Sequence, residues 1–417
     1  MQNFFRKIFL RKRLSQPLTE PSSVYKKRDI NFDCTIDRKC AVLSARYVPE
    51  GSAWKQRKDS HSEQAVIVCA GDLMCEPAMS EAAYFDGEYH FKHCFKYIRP
   101  VLESSDLALA NLETLVTDKV PYAHEIHHVK HRFHTHLYTR FHCNAPVAYL
   151  EALRYAGFDG FAMANNHIAD GGYEGLADTL NNVDSHGFMR TGAFKGPSEP
   201  RALIVDVNGI RLGILSYTEH INLQLDHTIL SREGREVMLN RLSGEKLVRD
   251  VRDARAAGAE FLLCYIHFLG KEYSHEILQS QRATAQMLAD AGIDCIMGSH
   301  PHAIQKYDIL TCADGRQVPV VYSLGNFITS DDTSMVTRKS IIYKLILKKE
   351  DGKVRILRDM YIPCRVVENV LSSSYITFPT QQKYRKDKKS PLLEAAQEEI
   401  IPLVGNLALD EAPEYYF

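Results

Sequence analysis

The chain has 417 residues, 45% hydrophobic content and a formal net charge of −1, so it can bury a large core as one large domain or two smaller ones. The absence of a basic excess argues against a nucleic-acid partner. Ten cysteines are scattered without a C-x-x-C pair, and Cys69, Cys264 and Cys295 lie inside apolar runs. This usage predicts buried free thiols in a reducing, cytoplasmic-facing compartment.

The first residues, Met1–Leu14, mix aromatic and aliphatic side chains with basic ones. Charge interrupts the apolar run, so it is neither a secretory signal nor a membrane span. Two interpretations stay open: a frayed tail, or a basic amphipathic helix that rests on anionic lipid at the inner membrane face. Residues 15–63 are polar and irregular, so we predict a tail and linker over 1–63, a main domain over 64–370 and a C-terminal extension over 371–417.

From residue 65 onwards, apolar strand-like runs alternate with segments of helical periodicity. The predicted strands are Ala65–Ala70, Leu107–Leu112, Phe158–Ala164, Phe261–Ile266, Ile293–Met297 and Val318–Tyr322. Three of these strands share one pattern, because each is preceded by a predicted helix that ends at a glycine (Gly157, Gly258 or Gly292). A helix closed in this way and followed by a buried strand is typical of an α/β layer. Asn208-Gly209 and Asp351-Gly352 predict two hairpins.

The first two strands are followed by carboxylates. Asp72 comes after Gly71, which allows a sharp turn, and Glu113 follows the Leu107–Leu112 run. Each carboxylate is a candidate cation ligand. The alternatives are an ordinary Gly-Asp turn and a solvated acid at a strand end.

The strand at Phe158–Ala164 ends in Asn165-Asn166-His167, with Asp170 close behind. Asn166 offers a neutral oxygen to a metal, His167 can donate a proton to a leaving group, and Asp170 can orient that imidazole. The alternative is that Asp170 caps the helix that begins near Tyr173.

Two later strands deliver histidines. Phe261–Ile266 leads to His267, for which Glu272 is a candidate hydrogen-bond partner or a surface acid. The run Ile293–Met297 leads to Gly298-Ser299-His300-Pro301-His302, where residues i and i+2 of an extended backbone point the same way. The stiffness of Pro301 favours two rings that meet at one metal site over two surface histidines.

A histidine-dense stretch lies at about 121–143. It contains His124, His127, His128, His131, His134, His136 and His142. The irregular spacing favours an insertion near the mouth of the active site that contacts an anionic substrate, over a second metal centre.

Taken in order, these motifs, together with Tyr322-Ser323-Leu324-Gly325-Asn326-Phe327, resemble the CapA family of capsule and poly-γ-glutamate synthesis proteins. That family is similar to the calcineurin-like metallophosphatases. The resemblance covers about residues 65–330 and implies a four-layer α/β/β/α sandwich with a two-metal site at the sheet edge. The Tyr322–Phe327 segment is expected to form a wall of the pocket.

The resemblance also implies roles for individual residues. Asp72, Glu113 and His302 would hold one cation. Glu113, Asn166, His267 and His300 would hold the second, and His167 would be the general acid. This mixture of ligands suits Mn²⁺, Fe or Zn²⁺. Met74 stands where metallophosphatases have an imidazole, and the bridging carboxylate is Glu113 where they have Asp.

Two functions follow from these observations. The first is a metal-dependent hydrolase that acts on a phosphoester or related anionic bond in capsule or poly-γ-glutamate metabolism. The second is a non-catalytic assembly or export component of such a synthesis complex, one associated with the membrane. Met74 and the basic N-terminus motivate the second.

Overall fold

The computed structural model describes residues 44–57, 62–120, 122, 143–222, 234, 237–369, 374–385 and 389–411. In chain order the strands are β1 (Tyr47–Glu50), β2 (Ala53–Gln56), β3 (Gln64–Leu73), β4 (Tyr84–Phe85), β5 (Glu88–Tyr89), β6 (Leu107–Leu112), β7 (Leu115–Val116), β8 (Asn144–Ala145), β9 (Gly160–Ala162), β10 (Met189–Thr191), β11 (Leu203–Val207), β12 (Ile210–Thr218), β13 (Phe261–His267), β14 (Cys295–Ser299), β15 (Ile304–Thr311), β16 (Gln317–Leu324), β17 (Asn326–Ile328), β18 (Lys339–Glu350), β19 (Lys353–Asn369) and β20 (Ser374–Pro379). The α-helices are α1 (Pro77–Ala83), α2 (Arg99–Glu103), α3 (Ala148–Ala156), α4 (Gly172–Ser185), α5 (Gly244–Ala256), α6 (Gln279–Asp290) and α7 (Pro391–Val404).

Most strands belong to two large sheets. The first sheet has the order β1-β2-β11-β12-β13-β14-β16-β15, and its central strands β12, β13, β14 and β16 run parallel. The second has the order β10-β9-β6-β3-β18-β19-β20, with β17 beside the end of β3. Strands β3, β6, β9 and β10 of this sheet are parallel, whereas β18, β19 and β20 are antiparallel. Each sheet therefore gathers the carboxyl ends of several parallel strands at one edge.

The two sheets pack face to face, and helices cover their outer faces. Strand β3 has buried side chains on both of its faces. Ile67 and Cys69 lie in the core between the sheets, whereas Val68 and Ala70 lie in the core beneath α3 and α4. Alternate side chains point to opposite faces of a strand, so a strand buried on both faces is a continuous apolar run. A third core joins the other face of the first sheet to α5 and α6. These three interfaces define a four-layer α/β/β/α sandwich, as the resemblance implied.

The structure confirms the three helix-ending glycines and the hairpin turn at Asn208-Gly209 that the sequence predicts. Gly157, Gly258 and Gly292 have φ values of 102°, 90° and 109°, the left-handed conformation that ends a helix. Asn208 and Gly209 both have positive φ and join β11 to β12 in the predicted hairpin. Positive φ at both central residues matches the right-handed twist of the flanking strands.

The segments on either side of the central strands add to the same sheets. Residues 47–56 form the hairpin β1–β2 at the edge of the first sheet, so the expected irregular structure does not hold there. Strand β20 pairs with β19 in the second sheet, and α7 packs against β15 and β19. The proposed division at residues 63 and 370 stays a prediction. The Met1–Leu14 segment lies outside the described residues, and among the helices that are described none is long and apolar enough to cross a bilayer.

Candidate metal and catalytic site

A buried polar cluster lies where the carboxyl ends of parallel strands from both sheets meet. Strands β3 and β6 deliver two carboxylates, and the chain after β9 delivers an amide. Strand β13 and the loop after β14 deliver the imidazoles. The members are Asp72, Asn111, Glu113, Asn166, His267, His300 and His302, which we call the carboxylate–histidine cluster. Ligands in layered α/β folds bind at this edge of a sheet.

Asn111 joins the two carboxylates. Its Nδ2 donates to Asp72 Oδ1 at 2.8 Å and to Glu113 Oε2 at 3.0 Å. Asp72 and Glu113 are both fully buried. Gly71 allows β3 to approach β17 at this point, because a Cβ there would lie 1.9 Å from the Gly325 carbonyl oxygen. The local backbone therefore holds two carboxylates close together away from water.

His267 connects the carboxylates to the amide. Its Nε2 lies 2.9 Å from Asn166 Oδ1 and 3.5 Å from Glu113 Oε1. Its Nδ1 is 2.9 Å from the Ser299 hydroxyl oxygen. Ser299 therefore fixes the orientation of this ring. Both ring nitrogens of His267 thus face other groups and Glu272 is exposed, which favours the second of the two alternatives for Glu272, a surface acid.

The His300-Pro301-His302 loop is not extended. His300 has a φ of 94° and His302 a φ of 53°, a region that residues with a Cβ rarely adopt. Their rings nevertheless approach each other, with centroids 5.9 Å apart, and His300 lies 4.9 Å from His267. The predicted convergence of both rings is confirmed, but a strained turn produces it. Residues in such conformations cluster at functional sites.

His302 balances the charge of the carboxylates. Its Nδ1 lies 3.4 Å from Asp72 Oδ2, and its Nε2 lies 3.8 Å from Glu113 Oε1. Burial lowers the pKa of His302, but the charges of Glu113 and Asp72 outweigh it and raise that pKa to about 10. Burial and the neighbouring charge of Asp72 also raise the pKa of Glu113. The cluster thus favours additional positive charge.

Asn326 accounts for the orientation of His302. Its Oδ1 lies 2.8 Å from His302 Nδ1, and it sits in β17 directly beside Asp72. The Tyr322–Phe327 segment therefore contributes a polar contact to the site, whereas we expected only a wall. Burial, followed by the charges of neighbouring histidines, lowers the pKa of both His267 and His300. These two rings are neutral, the form that binds cations.

His167 and Asp170 form a second arrangement next to the cluster. His167 Nδ1 lies 2.7 Å from Asp170 Oδ2, and the same oxygen accepts a hydrogen bond from the Cys143 backbone N–H at 2.9 Å. Gly171 occupies the start of α4 without a side-chain cap, so Asp170 orients the imidazole instead of capping the helix. Asn165 anchors the loop, because its side chain donates to the Leu112 carbonyl at 2.8 Å.

The structure brings together every residue that the sequence singled out for this site. These are Asp72, Glu113, Asn166, His167, Asp170, His267, His300 and His302. Sequence reasoning missed the roles of Asn111, Ser299 and Asn326, and it assigned none to His220, whose ring centroid lies 4.4 Å from that of His300. Asn111 and Asn326 stand inside quoted motifs, so their position at strand ends was the available signal. The histidine-dense stretch at 121–143 lies outside the described residues except for positions 122 and 143.

The donor set fits a pair of divalent cations. Asp72 Oδ2, Glu113 Oε1 and His300 Nδ1 are buried and have no hydrogen-bond partner among the described residues. Buried polar atoms are normally paired, so three such atoms in one cluster call for a ligand. Glu113, His300 and His302 also place one donor atom each within 4.8 Å of one another. Carboxylate oxygen and imidazole nitrogen together suit borderline divalent metals.

The four-layer sandwich, with carboxylates, an amide and imidazoles gathered at its strand ends, is the arrangement that the resemblance to the CapA family implied. The chain belongs to the family of the bacterial capsule synthesis protein PGA_cap, whose family model matches residues 66–331. All residues of the carboxylate–histidine cluster, as well as His167, Asp170 and Asn326, lie inside the matched range.

Two relatives in Bacillus resemble much of the chain. The capsule biosynthesis protein CapA of Bacillus anthracis is 26% identical over 297 residues, which is 69% of this chain and 65% of that protein. The PGA biosynthesis protein CapA of Bacillus subtilis is 26% identical over 316 residues, 74% of each chain. The chain thus spans slightly less than two thirds of the length of the Bacillus anthracis relative.

Two solved structures align with much of the chain. The calcineurin-like phosphoesterase YfkN from Bacillus subtilis aligns over 80% of this chain and 99% of its own, with a TM-score of 0.40 and 15% identity. The sulfate thiohydrolase SoxB from Thermus thermophilus aligns over 85% of this chain and 61% of its own, with a TM-score of 0.40 and 11% identity.

Proposed function

We propose that the chain is a metal-dependent hydrolase of phosphoesterase type that acts in the metabolism of capsule or poly-γ-glutamate polymer. The observation that carries this proposal is the set of three buried donor atoms without hydrogen-bond partners, on Asp72, Glu113 and His300. A hydrolytic metal site would use such a set, because carboxylate oxygen and imidazole nitrogen are the ligands of borderline divalent cations.

In this proposal Asp72, Glu113 and His302 hold one cation, and Glu113, Asn166, His267 and His300 hold the other. Two cations in such a site lower the pKa of a water molecule and stabilise charge on the oxygens of the reacting group. Asn111 keeps the two carboxylates together, and Ser299 and Asn326 keep two of the rings in a fixed orientation. A fixed orientation of the ligands raises the affinity for metal.

His167 is the proposed general acid. Asp170 engages Nδ1, which leaves Nε2 as the nitrogen that can donate a proton to the leaving oxygen. The buried carboxylate also holds the ring in a fixed orientation through this contact. His167 and Asp170 together would therefore make departure of a poor leaving group easier.

The proposed substrate is an anionic polymer or a phosphoester derived from its synthesis. Support comes from the family and from the two Bacillus relatives, which are named for capsule and PGA biosynthesis. Divalent cations attract anionic groups, and the buried position of the cluster strengthens that attraction. We further propose that the protein works on the cytoplasmic side, together with a synthesis complex at the inner membrane face.

The test is reconstitution of the full chain. Protein stripped with a chelator and reloaded with Mn²⁺ should hydrolyse an aryl phosphate, and His300→Ala should lose that activity. His186→Ala is the matched control, because His186 lies at the far end of α4 and its ring hydrogen-bonds to the neighbouring Asn182 carbonyl. Absence of turnover on aryl phosphates and on γ-glutamyl peptides, in protein that contains two metal ions, would contradict the proposal.

A second candidate function has its own supporting observation. Met74 lies buried next to the site at the position where the metallophosphatases have an imidazole, and a thioether is a poor ligand for hard cations. The corresponding function is a non-catalytic assembly or export component with a structural metal site. Metal analysis separates the two: one ion or none in fully folded protein favours assembly, and two ions favour the hydrolase.

A further inference from the structure

His220 lies on a turn that the structure fixes from several sides. The Thr218 hydroxyl donates to the His220 carbonyl at 2.6 Å and accepts from the His220 N–H at 3.3 Å. The backbone N–H of the preceding residue, Glu219, donates a hydrogen bond to the His267 carbonyl at 3.0 Å. The Glu219 carboxylate accepts one from the Thr284 hydroxyl at 2.6 Å. The end of β12 therefore holds the His220 backbone beside the strand that carries His267.

The His220 ring faces two rings of the carboxylate–histidine cluster. Its centroid lies 4.4 Å from that of His300 and 5.7 Å from that of His267. The three residues each place one ring nitrogen within 4.8 Å of the others. His220 Nδ1 is buried and, like His300 Nδ1, has no hydrogen-bond partner among the described residues.

Two of these three separations, those of His300 from His220 and from His267, are close to those of imidazoles around one cation, and the third is wider. A nitrogen about 2.1 Å from a metal places its ring centroid about 3.2 Å away, so two ligands at about 90–110° have centroids about 4.5–5.2 Å apart. The three observed separations are 4.4, 4.9 and 5.7 Å. His220 Nδ1 and His300 Nδ1 are therefore buried imidazole nitrogens that are available to a cation.

We propose that His220 is a metal ligand and that it forms, with His267 and His300, a site rich in nitrogen ligands next to the site rich in oxygen ligands at Asp72 and Glu113. The inference rests on the proposed function, because it refines the assignment of ligands in the same cluster. It makes the two cation positions chemically unequal. The position with three imidazoles prefers Zn²⁺ or Fe, whereas the carboxylate position also suits Mn²⁺.

The experiment measures binding of Zn²⁺ alone to the full chain after metal removal, by competition with a chromophoric chelator. The His220→Ala variant should bind one of two Zn²⁺ ions about 100-fold more weakly or worse, since loss of a residue that only orients a ligand already costs about 10- to 100-fold. The other ion should keep its affinity to within about threefold. His220→Asn, which retains a weaker oxygen ligand, should lie between wild type and alanine. His186→Ala should match the wild type.

The outcomes separate the inference from the proposed function. If His220→Ala binds both ions as tightly as the wild type and keeps its far-ultraviolet circular dichroism spectrum, His220 is not a ligand and the inference is overturned. The proposed hydrolase function is not affected by that result. If the wild type binds two ions and one depends on His220, yet no substrate is cleaved, the inference stands and the hydrolase fails. A wild-type chain that binds no Zn²⁺ overturns both.

Discussion

Replacement of Asp170 by asparagine tests the proposed proton donor most directly. The variant keeps the size of the side chain and an oxygen that can accept from His167, but it removes the negative charge. The contact is 2.7 Å long, and the side chains are 9% and 0% exposed, so solvent screens it little. A hydrogen bond to a charged group contributes about 1.5–3 kcal/mol. At about 1.36 kcal/mol per tenfold change in rate, we expect kcat to fall about 10- to 150-fold.

The assay compares two aryl phosphates with Mn²⁺-loaded protein. Phenyl phosphate has a poor leaving group that needs a proton, whereas the nitrophenyl analogue leaves with little help. The loss in Asp170→Asn should therefore be large for phenyl phosphate and small for the nitrophenyl ester, with unchanged metal content. Asp184→Asn, at the other end of α4, is the matched control and should retain full activity. Equal losses on both esters would refute the assignment of a general acid assisted by Asp170.

Three further predictions concern metal and stability. Glu113→Gln should reduce bound metal from two ions to one or none, measured by elemental analysis, because a neutral amide is a poor bridging ligand; two ions retained would exclude the bridge. Asn326→Leu should weaken binding of one cation about 10- to 100-fold in a chelator competition, because it removes the contact that orients a ligand ring; unchanged affinity would show that this contact is dispensable. Lys344→Met should lower the free energy of unfolding by about 3–5 kcal/mol, because it removes the buried ammonium group that lies 2.9 Å from the Asp410 carboxylate. Lys348→Met on the same strand breaks a partly exposed ion pair and should lower the free energy of unfolding by at most about 1 kcal/mol in the same denaturant titration, so similar losses in both variants would argue against the reasoning for the buried pair.

Much of the fold could be predicted because its strands are buried on both faces. The Leu107–Leu112 run was predicted with its observed bounds, and Phe261–Ile266 differed only by the final His267. Continuous apolar runs of this kind have few alternatives in a chain with glycine-terminated helices between them. Strand β15 was missed, since several of its side chains are exposed and its polar residues interrupt the apolar pattern.

The ligand residues of the site could be predicted, but their supporting contacts could not. Asp72, Glu113 and His267 follow strand ends, where the order of the sheet brings them together. Pairing of His267 with Ser299 and of His302 with Asn326 depends on which strands become neighbours and on the strained loop after β14. Neither contact can be predicted from the spacing of nearby residues, because both join segments that are distant in sequence.

The segment after residue 331 lies beyond the range matched by the family model, yet β18 within it pairs along much of β3, the strand that carries Asp72. Without β18 the backbone amides and carbonyls on that side of β3 would be open to other chains, as at any unprotected sheet border. The smallest fragment of this protein with an intact second sheet is therefore longer than the family region. The β18–β19 hairpin protects the edge of β3, the strand that carries Asp72.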